Sequence, residues 1–296
     1  MERERVLVVG GGTMGAGIAG VCALAGYPTA IFEADSLRRA ALSDRITGSW
    51  GRAVGRGKLP AEEVEKARGL LAFPAELAAA GPAAIAIEAV PEDLDLKRRV
   101  FSELDRLLPG AALLATNTSA LSVTGIAAAT ADPARVVGLH FFNPVAAMPL
   151  VEVVRGRDTS PAAVARAAEF AASLGKQPVV VADAPGFATS RLGVAIGLEA
   201  MRMVEEGVAS AADIDKAMEL GYGHRMGPLK TSDLVGLDVR LAIAETLARG
   251  IDGRRFEPPA ILRRLVAEGR TGKKSGRGFY RWDGEEARPA DPEGEP

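Results

Sequence analysis

The chain holds a single cysteine, Cys22, among 296 residues. That excludes an intrachain disulfide framework and a cysteine-built metal centre, and its place on the apolar face of an expected helix reads as a small core residue. Histidine occurs twice, asparagine twice (Asn117 and Asn143) and glutamine once. Such amide depletion suits heat adaptation, and an Ala/Arg-biased composition gives the same result. No apolar run approaches the roughly 20 residues that span a bilayer, and no membrane partner is expected. The opening MERERVLVVGGG passes from charge directly into a short apolar run. A formal net charge of −2 gives no basic excess of the kind that nucleic acid demands. With 48% hydrophobic and 25% charged residues, the composition is that of a globular cytoplasmic protein, long enough for two domains.

What is present begins with a strand, a glycine turn, a helix and a second strand between residues 6 and 33. VLVVG is continuously apolar, as a central parallel strand buried on both faces should be. Gly10, Gly12 and Gly15 then supply G-x-G-x-x-G, with Thr13 and Met14 between them at the opening of the helix. The three glycines give a tight turn, bare backbone for a pyrophosphate and close helix-to-strand packing. The helix N-terminus directs N–H groups at the phosphates. The second strand ends in Glu33, whose carboxylate accepts ribose hydroxyls and repels a 2′-phosphate. The cofactor is therefore read as NAD rather than NADP. Arg38 and Arg39, just beyond, temper that preference.

Further on, VVGLHFFNPVAAMPLVEVV (136–154) reads as two strands around a turn at Asn143-Pro144 and Pro149. His140 closes the first strand. Alternation in the second puts Glu152 on a face with Leu150 and Val154. A carboxylate among apolar neighbours needs a partner. If the strands are adjacent, Glu152 engages one nitrogen of His140 and leaves the other for general-base work. The alternative is a satisfied core histidine beside an edge-strand glutamate.

Between these landmarks, residues 36–71 read as a helical hairpin broken near 55–60, and strands at 83–90, 112–117 and 178–182 alternate with helices at 94–108 and 161–174. The expected fold is α/β, a doubly wound, Rossmann-type sheet over residues 1–184. Asn117, Ser119 and His140 fall at strand carboxyl ends, where such sheets bind ligands. From 185 to 282 the pattern is helical: 188–206, 211–220 with a capping box at Ser210 and Asp213, 234–248 and 259–268. The first of these helices is apolar nearly all round, through Leu192, Val194, Ile196, Leu198, Met201 and Val204. It predicts a homodimer through this half. The acidic, Pro- and Gly-rich stretch 283–296 reads as a disordered tail.

Taken together, VVGGGTMGAGIA (8–19), EAVPEDLDLK (88–97), TNTSAL (116–121), GLHFFNPVAAMPLVEVV (138–154), PGFATSR (185–191), EEGVASAADIDKAM (205–218), GPLKTSDLVGLD (227–238) and GKKSGRGFY (272–280) resemble the L-3-hydroxyacyl-CoA dehydrogenase family, in family order. The resemblance implies His140 as catalytic base, oriented by Glu152, and Ser119 at the substrate's 3-oxygen near the nicotinamide. It puts Asn117 and Asn143 around the nicotinamide and catalytic centre, with Glu92, Lys97 and Lys274 at cofactor-contacting positions. Ser49 and Arg56 match the region that holds CoA. Ser190 stands where the family commonly has an asparagine that helps hold the substrate oxygen, and serine offers a shorter, different donor. Arg225 stands where relatives usually show proline, which makes His224 a loop residue. The implied reaction is reversible, NAD-dependent oxidation of (S)-3-hydroxyacyl-CoA, without a metal. The rival readings are a free 3-hydroxy-acid dehydrogenase of the same superfamily and an NAD-binding structural or sensor protein.

Overall fold

The computed structural model describes residues 3–251 and 253–290, and the chain divides between Ala184 and Pro185 into two compact units. In the first, strands β1 (Val6–Val9), β2 (Thr29–Phe32), β3 (Leu71–Ala72), β4 (Ile85–Glu88), β5 (Leu113–Thr116), β6 (Val136–Phe141), β7 (Leu150–Arg155) and β8 (Gln177–Ala182) form one sheet in the order β3-β2-β1-β4-β5-β6-β7-β8. The first six strands are parallel. β7 then turns back antiparallel to β6, and β8 runs with β7. β1 is buried along its whole length, as its unbroken apolar run requires, between β2 and β4. The order reverses at β1, so the crevice beyond its carboxyl end is where a ligand of such a sheet is held.

Helices α1 (Thr13–Leu24), α3 (Leu42–Gly55), α4 (Ala61–Arg68) and α7 (Pro161–Ser173) share one core with the sheet, through Ile18, Cys22, Trp50, Val64 and Phe170. Cys22 is fully buried, and burial pushes its thiol pKa far up, which suits a packing residue. Helices α5 (Leu94–Leu107) and α6 (Val123–Ala127) complete the unit, together with a one-turn α2 (Ser36–Ala40). The stretch expected as a helical hairpin is thus three helices, because the chain breaks again at Ala41.

The second unit packs α8 (Thr189–Glu205), α9 (Ala211–Tyr222), α10 (Pro228–Val235), α11 (Leu237–Gly250), α12 (Gly253–Phe256) and α13 (Ala260–Ala267) around Leu198, Met201, Leu229, Leu247 and Phe256. Two expectations need correction. The helix expected over 234–248 is split by Gly236, whose φ of 104° ends α10 before α11 begins. The tail expected to be disordered from 283 instead starts in a β-hairpin, β9 (Tyr280–Asp283) with β10 (Glu286–Pro289), turning at Gly284 with φ 58°. Residues 291–296 lie outside the described residues. The hairpin is held because Asp233, fully buried, accepts hydrogen bonds from the backbone N–H groups of Phe279 (3.0 Å) and Tyr280 (2.9 Å) and from Trp282 Nε1 (2.9 Å). A side chain at Gly278 would meet the Asp233 carboxylate at 2.1 Å, so only glycine lets the chain pass. Asp215, also buried, accepts from the backbone of Leu229 and Lys230 at the start of α10 and from the Tyr280 hydroxyl at 2.7 Å.

Candidate active site

The glycine turn leaves β1 at Gly10, whose φ of 108° and closeness to the Ala89 carbonyl (2.7 Å from an added Cβ) admit no other residue. A Cβ at Gly15 would sit 1.8 Å from the Gly10 carbonyl, so α1 starts hard against the turn. A Cβ at Gly12 would meet nothing within 4 Å: the backbone faces open space, and no side chain caps that end of the helix. Bare backbone, a 12-residue helix and an acidic residue at the next strand end together fit a dinucleotide. Thr13 is exposed beside the opening, and Met14 is half-buried against the core. Glu33 accepts from the backbone N–H of Gly11 (2.8 Å) and of Asp35 (3.0 Å), which fixes its carboxylate at the rim of the turn. Arg39 donates to the Glu33 carbonyl, so this guanidinium is spoken for locally.

Strands β6 and β7 pair with His140 directly opposite Glu152. Both side chains are buried, and His140 Nδ1 lies 2.8 Å from Glu152 Oε2. A carboxylate can only accept, so Nδ1 carries the hydrogen and the imidazole is held in the tautomer that makes Nε2 basic. The Phe142 ring packs on the imidazole at 4.4 Å between centroids and limits its rotation.

One strand away, β5 ends beside β6, and Asn117 Oδ1 accepts from the backbone N–H of Phe141 at 2.9 Å, joining the two strand ends. The turn after β5 wraps a carboxylate oxygen: Glu92 Oε1 accepts from the Thr118 hydroxyl and from the backbone N–H of Ser119 (3.0 Å) and Ala120 (3.2 Å). Behind Glu92 lies Lys97, with 1% of its side chain exposed. Its ammonium is 2.6 Å from Glu88 and 3.3 Å from Glu92. Glu88, fully buried at the end of β4, also accepts from the Thr116 hydroxyl at 2.7 Å. Burial raises the Glu88 pKa above the usual carboxylate range despite the neighbouring ammonium. Burial opposes ionisation of Glu92 too, but the charge of Lys97 and the donors at Thr118 and Ser119 outweigh it and hold that carboxyl low. Lys97 therefore stands beneath the site rather than in it, and Glu92 is the member that faces the Ser119 turn.

Asn143 lines a cleft of about 240 Å³ together with Thr13, Arg45, Ser49 and Arg52, so the structure brings Asn143 and Ser49 to one opening beside the glycine turn. Arg56 is exposed at the end of α3 and is not among the residues that line this cleft. A larger groove of about 860 Å³, bordered by Arg155, Arg157 and Asp183, contains none of the residues above. In the second unit, Ser190 is half-buried in the first turn of α8, and Lys274 pairs with Asp238 at 2.6 Å. Sequence reasoning passed over Glu88, Thr118, Arg45 and Arg52. An acidic residue closing an otherwise apolar strand, with a lysine nine residues on, was the available sign of the first.

Comparison with known proteins gives two family models in succession. The 3-hydroxyacyl-CoA dehydrogenase NAD binding domain matches residues 5–184, and the 3-hydroxyacyl-CoA dehydrogenase C-terminal domain matches 186–282. A 3-hydroxybutyryl-CoA dehydrogenase of Mycobacterium tuberculosis is 47% identical over 94% of this chain and 98% of its own length. A probable 3-hydroxybutyryl-CoA dehydrogenase of Bacillus subtilis is 40% identical over 96% and 99%. Among solved structures, (S)-3-hydroxybutyryl-CoA dehydrogenase from Ralstonia eutropha superimposes with a TM-score of 0.90 at 34% identity, covering 95% of this chain and all of that one.

Proposed function

Since the chain belongs to the 3-hydroxyacyl-CoA dehydrogenase family, we propose that it oxidises (S)-3-hydroxyacyl-CoA reversibly to 3-oxoacyl-CoA with NAD, on short chains such as 3-hydroxybutyryl-CoA, in fatty acid or butanoate metabolism. The buried His140–Glu152 pair carries the reading, because it gives a strand end a tautomerically fixed imidazole in a chain with almost no other. Bound NAD supplies the hydride acceptor. Gly10, Gly12, Thr13, Met14 and Gly15 hold its pyrophosphate, and Glu33 receives the adenosine ribose. His140 removes the hydroxyl proton through Nε2 and returns it in the reverse direction. Glu152 holds the tautomer and stabilises the imidazolium as it forms. Ser119 donates to the 3-oxygen on which charge varies, a contribution typically of about 3 kcal/mol to the barrier. Glu92 fixes the backbone on which Ser119 sits, and Asn117 and Asn143 border the nicotinamide. Ser49 and Arg56 seat the CoA. The active species is a cytoplasmic homodimer through the helical unit.

The test is NADH oxidation with acetoacetyl-CoA, set against a longer 3-oxoacyl-CoA, free 3-oxo acids and NADPH. Saturable NADH-dependent turnover of the short thioester is expected. Turnover confined to free acids would transfer the assignment to the free-acid branch.

A further inference from the structure

Just past the end of helix α7, Gly175 with φ 72° turns the chain, and the backbone N–H of Lys176 closes back on the Ala171 carbonyl at 3.1 Å. The turn sends the Lys176 side chain under the loop that joins β6 to β7. Its ammonium donates to the carbonyls of Val145 (2.6 Å) and Met148 (2.9 Å), and only 9% of the residue is exposed. Among the described residues no carboxylate lies within ion-pair distance of it. The same loop is fixed twice more: the Gln177 N–H donates to the Pro149 carbonyl at 2.7 Å, and buried Val145 fills the space that Gly17 of α1 leaves, where an added Cβ would meet it at 2.9 Å.

The loop held in this way begins at Asn143, and Asn143 to Ala146 form one wall of the cleft whose other wall is Thr13, Ser49 and Arg52. Burying an ammonium against carbonyls alone is costly, and burial accordingly pulls the Lys176 pKa below the usual lysine value. A neutral side chain would fill the same volume without that penalty. What a neutral side chain lacks is a donor strong enough to draw two carbonyls of one turn onto a single point.

We propose that Lys176 is a positioning residue for the dehydrogenase reaction: by clamping the Val145 and Met148 carbonyls it places Asn143 and the cleft wall against which the acyl-CoA seats. The inference rests on the reading of Asn143 as part of the catalytic surroundings.

The experiment compares wild type, K176M, K176R, N143A and the double variant K176M/N143A, each for kcat and KM with acetoacetyl-CoA, for NADH affinity by fluorescence and for thermal midpoint. K176M is expected to raise the KM for the thioester roughly tenfold, as loss of a charge-assisted clamp implies, and to weaken NADH binding by a smaller factor, because Asn143 also borders the nicotinamide. K176R, which keeps the charged donor, restores most of the loss. The double variant falls no further than N143A, because both changes remove one arrangement. If K176M does not fold, K176Q, which retains an amide donor, takes its place. Wild-type KM in K176M, or single effects that multiply in the double variant, would overturn the role of Lys176. An N143A variant with wild-type kinetics would instead overturn the reading of Asn143, and this inference with it.

Discussion

At the scale of single residues, a carboxylate sealed between strands is tolerable only if something donates to it, and for Glu152 the donor is the His140 imidazole. His140→Ala is expected to lower kcat with acetoacetyl-CoA by about 10²–10⁴-fold with NADH binding retained; unchanged turnover would remove the histidine from the mechanism. Lys97 belongs to a different class, since its ammonium answers two carboxylates beneath the Ser119 turn. Lys97→Met leaves Glu88 buried without its counter-charge and should cost about 3–5 kcal/mol in denaturant titration, with Glu88→Gln added to it recovering part of the loss. The two carboxyls also titrate in opposite senses. The Glu92 pKa is lowered in the folded state, so its contribution is present above the unfolded value of about 4.5 and is lost as pH falls through the folded value. The Glu88 pKa is raised, so its contribution is full below that unfolded value and is lost as pH rises through the folded one. Unfolding free energies measured between pH 3 and 7 should therefore flatten at the acid end in Glu92→Gln and steepen upward above pH 4.5 in Glu88→Gln. His140, Glu152 and Asn117 were legible in the sequence because alternation and scarcity mark them. Glu88 was marked only by its place at the end of an apolar strand with a lysine nine residues on, because a carboxylate that faces a lysine across a buried corner has no periodic signature.

Among elements, the strand-turn-helix at the amino end separates two glycine roles that composition cannot tell apart. Gly15→Ala drives a methyl into the Gly10 carbonyl and is expected to destabilise the fold by about 1–3 kcal/mol or more. Gly12→Ala places its methyl in open space, where no protein atom objects. It should leave the melting point within a degree or two of wild type while weakening NADH at least about tenfold, as calorimetry would record. The sheet was readable from its runs of apolar residues, and so was the reversal between β6 and β7, announced by Asn143-Pro144 and Pro149. The break between α10 and α11 was not, because one glycine inside a helical pattern is usually tolerated, and only tertiary closeness to Thr271 and Lys274 makes Gly236 a boundary. The hairpin at the end of the second unit was hidden for the same kind of reason. Its tip is acidic and glycine-bearing like a loose tail, and the groups that hold it, Asp233 and Asp215, lie 46 to 65 residues earlier in the chain.

For the whole molecule, the remaining question is what the helical unit does with its outer apolar side chains. Leu192 and Ile196 on α8 are 63% and 40% exposed, and Leu220, Tyr222, Leu234 and Val239 are exposed on other helices of the same unit. Exposed apolar side chains gathered on one unit are what the proposed dimer would cover. Equilibrium sedimentation is expected to give a dimer at micromolar concentration, and Leu192→Glu to shift it towards monomer, whereas a wild-type monomer would end the dimer proposal. Order of synthesis adds a further consequence. Asp233 receives the N–H groups of Phe279 and Tyr280 and the indole of Trp282, so on the ribosome its carboxylate waits, unmatched, until residues some 45 positions later have left the exit tunnel. The nucleotide-binding half has all of its strands by residue 182 and can close while translation continues. The helical half cannot seal its core until the hairpin arrives, and for that interval it is the part of the newborn chain most in need of protection.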